Sequence, residues 1–260
     1  VVLLALFSLA GAAWLVVQSS YLDVDTVAVR GARRVSAEEV VETSGVRRGE
    51  ALLLVDLGTV TRRVEGLPWV RSAVVSRDLP GRLRIEVTER EPVAWVGGPD
   101  RRVALVDADA RVLAHRIGPA PGLAEIHAPG RLATPGRHLD RARDAARVVG
   151  AAPKLRRSEI VRVARRRGAF VLTLRSVREV RFGPATALAA KWSALELVLE
   201  RAGEGPVHSI DVRVPTAPAL ARTPPPTSTT TPTTAPTVPT TSSAPGAGGT
   251  RGGSAAASEH

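Results

Sequence analysis

Residues 67–96 read LPWVRSAVVSRDLPGRLRIEVTEREPVAWV, and their reading decides the fold of the first half of the chain. Leu83, Ile85 and Val87 alternate with Arg82, Arg84, Glu86 and Thr88. Side chains in a strand point to opposite faces with a period of two, so this is a strand with one buried and one wetted face. Trp69 to Arg77 reads as its partner strand. Between them, Asp78-Leu79-Pro80-Gly81 is turn chemistry.

Upstream the signals are equally local. Thr26 to Arg30 alternates, with Val27 and Val29 on one face, and Gly31 breaks the strand. Ser36 opens a helix, and Glu39 three residues later completes a capping box. Val40 and Val41 supply its apolar stripe, and Gly45 stops it. Arg47-Arg48-Gly49 is a loop, followed by Leu52-Leu53-Leu54-Val55. Asp56 caps a second helix, in which Leu57, Val60, Val64 and Leu67 share one face before Gly66 and Pro68 end it. The order is β-α-α-β-β, two helices against a three-stranded sheet, an α+β layer.

Three features in this region carry a resemblance. They are Leu67-Pro68-Trp69-Val70, then Arg77-Asp78-Leu79-Pro80, then Ile85 to Ala94 with its Glu89-Arg90 and Pro92-Val93-Ala94. Together with VDTVAVRGARRVSAEEVV and GEALLLVD they resemble a POTRA domain, and more narrowly that of the FtsQ/DivIB family of bacterial cell-division proteins. The resemblance places the POTRA domain at residues 22–91.

Residues 92–215 read as a second, mixed α/β domain with a mainly antiparallel sheet. Val103 to Asp107 and Val112-Leu113 form a hairpin around an acidic turn. This stretch is similar to the family's LVD-x-x-G-x-VL, with Ala110 in place of the usual glycine. Pro121 to Ile126 is a short strand, and Leu139, Ala142, Ala146 and Val149 mark a helix face. Glu159–Ala164, Ala169–Arg175 and Glu179–Phe182 are strands, with Arg165-Arg166-Arg167-Gly168 as the turn between the first two. A helix spans about Ala185 to Glu200 with a stripe of Leu188, Trp192, Leu195 and Leu199. Ser209 to Val214 is the last strand, with Ile210, Val212 and Val214 on one face, closed by Pro215. VRFGPATALAAKWSALELVL followed by SIDVRVP is similar to the β domain of the FtsQ family.

The two ends differ in composition from this middle. Val1 to Val17 carries no charge and, as a helix, measures about 26 Å, close to a hydrocarbon core of about 30 Å. Residues 1–18 are expected to be a transmembrane helix clipped at its N-terminus, since the chain holds no methionine. A signal peptide with Ala10-Gly11-Ala12 as its cleavage site is the competing reading, but that site lies inside the apolar run. Residues 216–260 are rich in Thr, Pro and Ser with almost no large apolar side chain, and are expected to be a disordered tail.

The chain has 260 residues, no cysteine and a net charge of +11. Without cysteine there are no disulfides, thiolate zinc sites or thiol nucleophiles. Of 36 basic residues only Lys154 and Lys191 are lysine, which suits a GC-rich actinobacterial genome. His115, His127, His138, His208 and His260 show no metal-ligand spacing, and no nucleophile or phosphate-loop motif is present. Asp107 and Asp109 sit in a turn, where Asx hydrogen bonding accounts for them better than acid–base catalysis. No enzymatic activity, cofactor, metal or small-molecule substrate is expected. Arginine clusters at 101–102 and 165–167 would suit phosphates, but 3% aromatic content argues against a single-strand stacking platform and no nucleic acid is expected.

What the family resemblance implies is a bitopic divisome scaffold. The anchor would contact membrane lipid, with the N-terminus cytoplasmic and the C-terminal domains extracytoplasmic at the septum. FtsB and FtsL would be the direct partners, and FtsW and the septal transpeptidase indirect ones, through control of septal peptidoglycan synthesis. Partner binding would fall on a terminal edge strand at Ile210, Asp211, Val212, Arg213 and Val214. The alternative is a component of an outer-membrane assembly or translocation system, which would need tandem POTRA units and a barrel.

Overall fold

The first strand, β1 (Thr26–Arg30), stops at Gly31, where φ is +81° and a Cβ would collide with the carbonyl oxygen of Val87. Helix α1 (Ala37–Ser44) starts on Ser36, whose Oγ accepts the Glu39 N–H at 3.0 Å. It ends on Gly45 at φ +70°, whose N–H donates to the Glu42 carbonyl. Helix α2 (Leu57–Glu65) starts on Asp56, which accepts the N–H groups of Gly58 and Thr59. Both helix starts therefore stand where the capping residues put them. Between the helices, Leu52–Leu54 is a 3₁₀ turn that buries Leu52 and exposes Leu53 and Leu54. Arg77 clamps this turn, donating to the carbonyls of Leu52, Leu53 and Val55 at 2.9, 3.2 and 2.7 Å.

β2 (Val70–Asp78) and β3 (Arg82–Glu89) form the expected hairpin, and the sheet order is β1-β3-β2. β3 runs parallel to β1, with Val27 opposite Leu83 and Val29 opposite Ile85. Leu83, Ile85 and Val87 face inward onto Val40, Val60 and Val64 of the helices. Each such side chain contributes about 1.5–3 kcal/mol when fully buried. Leu67, expected on the face of α2, lies beyond its end and is only partly buried.

Glu89 closes this layer. Its Oε1 accepts the backbone N–H groups of Arg33, Arg34 and Val35 at 2.7, 2.7 and 3.1 Å. Burial pushes its carboxyl up, but those three donors and the Arg34 charge outweigh it, and the net is a value below the usual range.

The second sheet has nine strands in the order β12-β11-β10-β9-β8-β7-β4-β5-β6. They are β4 (Ala94–Gly97), β5 (Arg102–Val106), β6 (Val112–Ile117), β7 (Ala124–His127), β8 (Ile160–Arg166), β9 (Ala169–Leu174), β10 (Val177–Gly183), β11 (Val207–Asp211) and β12 (Ala219–Ala221). The pairs β4·β7, β7·β8 and β10·β11 are parallel and the other five are antiparallel. Parallel neighbours need a crossover. Helices α3 (Arg143–Gly150) and α4 (Lys154–Arg157) lie between β7 and β8, and α5 (Leu188–Ala202) lies between β10 and β11. Leu139, Ala142, Ala146 and Val149 are all buried, as their spacing requires. Trp192 of α5 donates its Nε1–H to the Val148 carbonyl at 3.0 Å and packs on Phe182, ring centroids 5.2 Å apart. α5 begins at Leu188 rather than Ala185, and buries Lys191 beside its stripe. The Lys191 ammonium donates to the Pro184 carbonyl at 2.7 Å, and burial holds its pKa below the ordinary value.

Two sequence expectations change here. β4 is an additional strand, too short for its period to be read. The tail expected from residue 216 does not begin there, because Ala219–Ala221 form β12. The computed structural model describes residues 22–202 and 207–222, together with Val2, Leu3, Phe7, Ser8 and Gly11, which are helical. The rest of the expected anchor at 1–18 and of the tail lies outside the described residues. No helix among the described residues is long and apolar enough to cross a membrane.

Both sheets belong to one compact unit, Val1–Pro224. Their joint is ionic. Arg90, the residue after β3, donates Nε to the Val70 carbonyl at 3.0 Å and Nη1 to Asp107 Oδ2 at 2.8 Å. The two side chains are 18% and 7% exposed. Asp107 Oδ1 accepts the N–H groups of Asp109 and Arg111, both at 2.9 Å, so the expected Asx turn is present as well. Arg111 Nη2 donates back to the Gly66 carbonyl at 3.1 Å, beyond the end of α2.

Two outcomes follow from these contacts. Asp107→Ala leaves a mostly covered Arg90 with only the Val70 carbonyl and the more distant Asp109, so it is expected to cost roughly 3 kcal/mol in urea unfolding; a cost below about 1 kcal/mol would mean the pair is solvated. Glu89→Gln is expected to destabilise the chain at neutral pH. A carboxyl held below its usual value adds stability above that value and loses it as pH falls through the lowered one. The gap between wild type and Glu89→Gln in thermal unfolding should therefore close on acidification.

Candidate partner-binding edge

β11 lies parallel to β10, with Val177 opposite Val207, Val180 opposite Ile210 and Arg181 opposite Asp211. The Val212 N–H donates to the Arg181 carbonyl at 3.0 Å and continues the pairing one step past the strand. The chain then turns, with the Ala217 N–H on the Val214 carbonyl at 3.1 Å, and returns as β12. β12 pairs antiparallel with β11: Ser209 opposite Ala221, Ile210 opposite Leu220, Asp211 opposite Ala219.

This corrects the expected edge strand. The strand is Val207–Asp211 rather than Ser209–Val214, and β12 covers its outer side. Ile210 and Val212 are fully buried, while Val214, expected on their face, is 57% exposed because the chain has already turned. Asp211 and Arg213 bind each other: Arg213 Nη2 donates to Asp211 Oδ2 at 2.6 Å and the Arg213 N–H to Oδ1 at 3.0 Å. Burial pushes the Asp211 carboxyl up, but Arg213 and the Arg181 charge prevail and hold it below the usual range. Of the five residues, two are core, two form an ion pair and one is exposed. The outermost strand among the described residues is β12, three residues between Pro218 and Arg222. Three residues carry no readable alternation; the prolines at 215 and 218 that bracket the turn were the available signal.

The opposite edge is β6. Its first residue is covered, since Val112 bonds the Arg137 carbonyl and the Gly136 N–H, and its far end exposes Ile117. The joint between the sheets holds a cleft of about 480 Å³ lined by both signs of charge. There Glu91 lies 3.6 Å from Lys154 and 3.8 Å from Arg157, so the cleft neutralises itself. Among the described residues no three His, Cys, Asp or Glu side chains are grouped to hold a metal ion.

A helix-backed β1-β3-β2 layer joined to a larger sheet is the architecture of a POTRA-domain protein. Residues 22–90 match the family model described as POTRA domain, FtsQ-type. The chain is 30% identical over 195 residues to the cell division protein FtsQ of Novosphingobium aromaticivorans, covering 74% of this chain and 59% of that one. It is 29% identical over 220 residues to FtsQ of Streptomyces bingchenggensis, covering 82% and 81%. Against FtsQ of Corynebacterium glutamicum it is 39% identical over 79 residues, 30% of this chain and 36% of that one. Residues 22–90 are thus a POTRA domain of the FtsQ type, and the chain is similar to FtsQ cell division proteins over most of its length. It spans between about a third and three-fifths of the length of the Corynebacterium and Novosphingobium relatives.

Leu220 holds β12 in place by pairing with Ile210 and packing on the core. Leu220→Pro removes an N–H and the leucine packing. Hydrogen exchange at Ser209 to Asp211 should then accelerate markedly while Leu83 to Val87 in β3 stays protected. Unchanged exchange at both would mean that β12 contributes nothing to the ladder.

Proposed function

We propose that the chain is a non-catalytic, single-pass membrane scaffold of the divisome. In this reading residues 1–18 anchor it in the membrane lipid with the N-terminus cytoplasmic, and residues 22–91 and 92–215 act as two domains outside the membrane at the septum. FtsB and FtsL are the direct partners, and FtsW and the septal transpeptidase respond indirectly, so that septal peptidoglycan synthesis is governed by assembly. The observation that supports this is the end of the nine-stranded sheet: among the described residues β12 is short, lies outermost and follows the β11 segment that resembles the family's docking region.

Docking there is strand addition, in which main-chain hydrogen bonds give affinity and alternate side chains give specificity. The accessible parts of the proposed site are then β12 and the exposed Arg213 and Val214. Ile210 and Val212 support it from the core, and Asp211 orients Arg213.

The test is capture of purified FtsB–FtsL from the source organism by the full chain. Val212→Glu places a charge at a fully buried position and should abolish capture while the POTRA layer keeps its hydrogen-exchange protection. Ala221→Pro acts on an exposed residue of β12 itself and should weaken capture about tenfold, a loss of about 1.4 kcal/mol. Undiminished capture by both variants would sink the edge reading.

A further inference from the structure

The ends of β9, β10, β11 and β12 that lie away from the Arg165–Gly168 hairpin tip enclose an open cleft of about 540 Å³. Arg175, Arg178, Arg222 and His208 line it, with the hydroxyl-bearing Thr173 and Ser176. Among the described residues no carboxylate lines it. The neighbouring acids are committed elsewhere: Glu179 to Arg181 at 2.8 Å and Glu159 to Arg156 at 2.9 Å.

Strand register sets the row. Val177 pairs with Val207, which puts Arg178 beside His208. Ser209 pairs with Ala221, which puts Arg222 on the other side of His208. Adjacent strands are about 4.8 Å apart, so two guanidinium-bearing residues flank one imidazole within about 10 Å. Two like charges this close repel, and among the described residues no acid in the cleft relieves them. Arg175 and Arg222 each spend donors on one carbonyl, of Ser158 at 3.1 Å and Ala202 at 2.8 Å, and keep the rest of the fork.

We propose that this cleft binds a phosphate-bearing anion. One arginine fork satisfies a carboxylate's two oxygens. Three guanidinium groups, two hydroxyls and an imidazole line this one cleft, a donor set that suits the three outer oxygens and higher charge of a phosphate group. The anion is either a free phosphate or diphosphate, or the headgroup of an anionic phospholipid. The site adjoins one end of the proposed docking edge, since Arg222 follows Ala221 of β12, but its other lining residues come from β9, β10, β11 and the turn between β9 and β10.

The experiment uses the full chain in non-ionic detergent micelles and follows the arginine Nε–H resonances by NMR. One arm titrates sodium pyrophosphate; the other dopes the micelles with phosphatidylglycerol, against phosphatidylcholine. Saturable shifts at Arg175, Arg178 and Arg222 are expected in at least one arm, and which arm responds identifies the source. Arg178→Gln and Arg222→Gln should each weaken binding about tenfold, the loss of one charge-assisted hydrogen bond. Arg166→Gln, at the hairpin tip, should leave it unchanged. The proposal is overturned if neither arm shifts these resonances, if Arg166→Gln weakens binding as much as the cleft variants, or if a glutamate-rich peptide binds the cleft more tightly than both phosphate probes.

Discussion

Arg90 ends the ladder of one sheet and closes a turn of the other. Its N–H bonds the Trp69 carbonyl at 2.7 Å, its Nε bonds Val70 and its Nη1 reaches Asp107. Asp107 is almost fully covered and Arg90 mostly so, and removing either leaves the other with a weaker set of partners. Arg111 adds a second strut to the carbonyls of Gly66 and Leu67, and its Nε is buried with no partner among the described residues. Burial and the nearby Arg90 charge hold the Arg111 pKa below its ordinary value, against the pull of Asp107. A joint that accepts those costs links the second sheet to the POTRA layer through two arginines and one carboxylate.

Local features were legible in the sequence because their causes are local. Ser36, Asp56 and Gly45 act on backbone groups within three residues, and the alternation of Leu83, Ile85 and Val87 needs only a sheet with one dry face. Asp107 was half legible. Its Oδ1 makes the turn that the sequence announces, but Oδ2 reaches Arg90, seventeen residues back, and spacing says nothing about that. Ala110 has φ +59°, at the position where the resembling stretch carries glycine. The backbone keeps the left-handed turn at a cost of about 1–2 kcal/mol, so the motif is recognisable although its glycine has been lost.

The candidate edge was less legible. Period two predicts that Ile210, Val212 and Val214 share a face, and Ile210 and Val212 do. Where the strand stops depends on the turn that brings β12 back, and a three-residue strand of alanine, leucine and alanine has no period to read. Lys191 shows the same limit from the other side. It stands one residue before Trp192 on α5, and helical spacing cannot say that the Pro184 carbonyl waits to receive its ammonium.

The arginine excess has a backbone origin that composition alone conceals. A helix leaves its last carbonyls without partners, and its C-terminal end favours a cation. Each helix of eight or more residues between Leu22 and Ala202 meets an arginine there from another part of the chain. Arg63 donates to Ser44 at the end of α1, Arg111 to Gly66 beyond α2, Arg157 to Gly150 at the end of α3, and Arg222 to Ala202 at the end of α5. Lysine would serve poorly, because a planar fork reaches two or three carbonyls at once, as Arg77 does at Leu52, Leu53 and Val55, while an ammonium is a point charge on a flexible stem. Carbonyls neutralise no charge, so every arginine used in this way leaves a net positive charge on the protein. A chain that caps its helices and turns with guanidinium groups gains part of its +11 charge for reasons of folding.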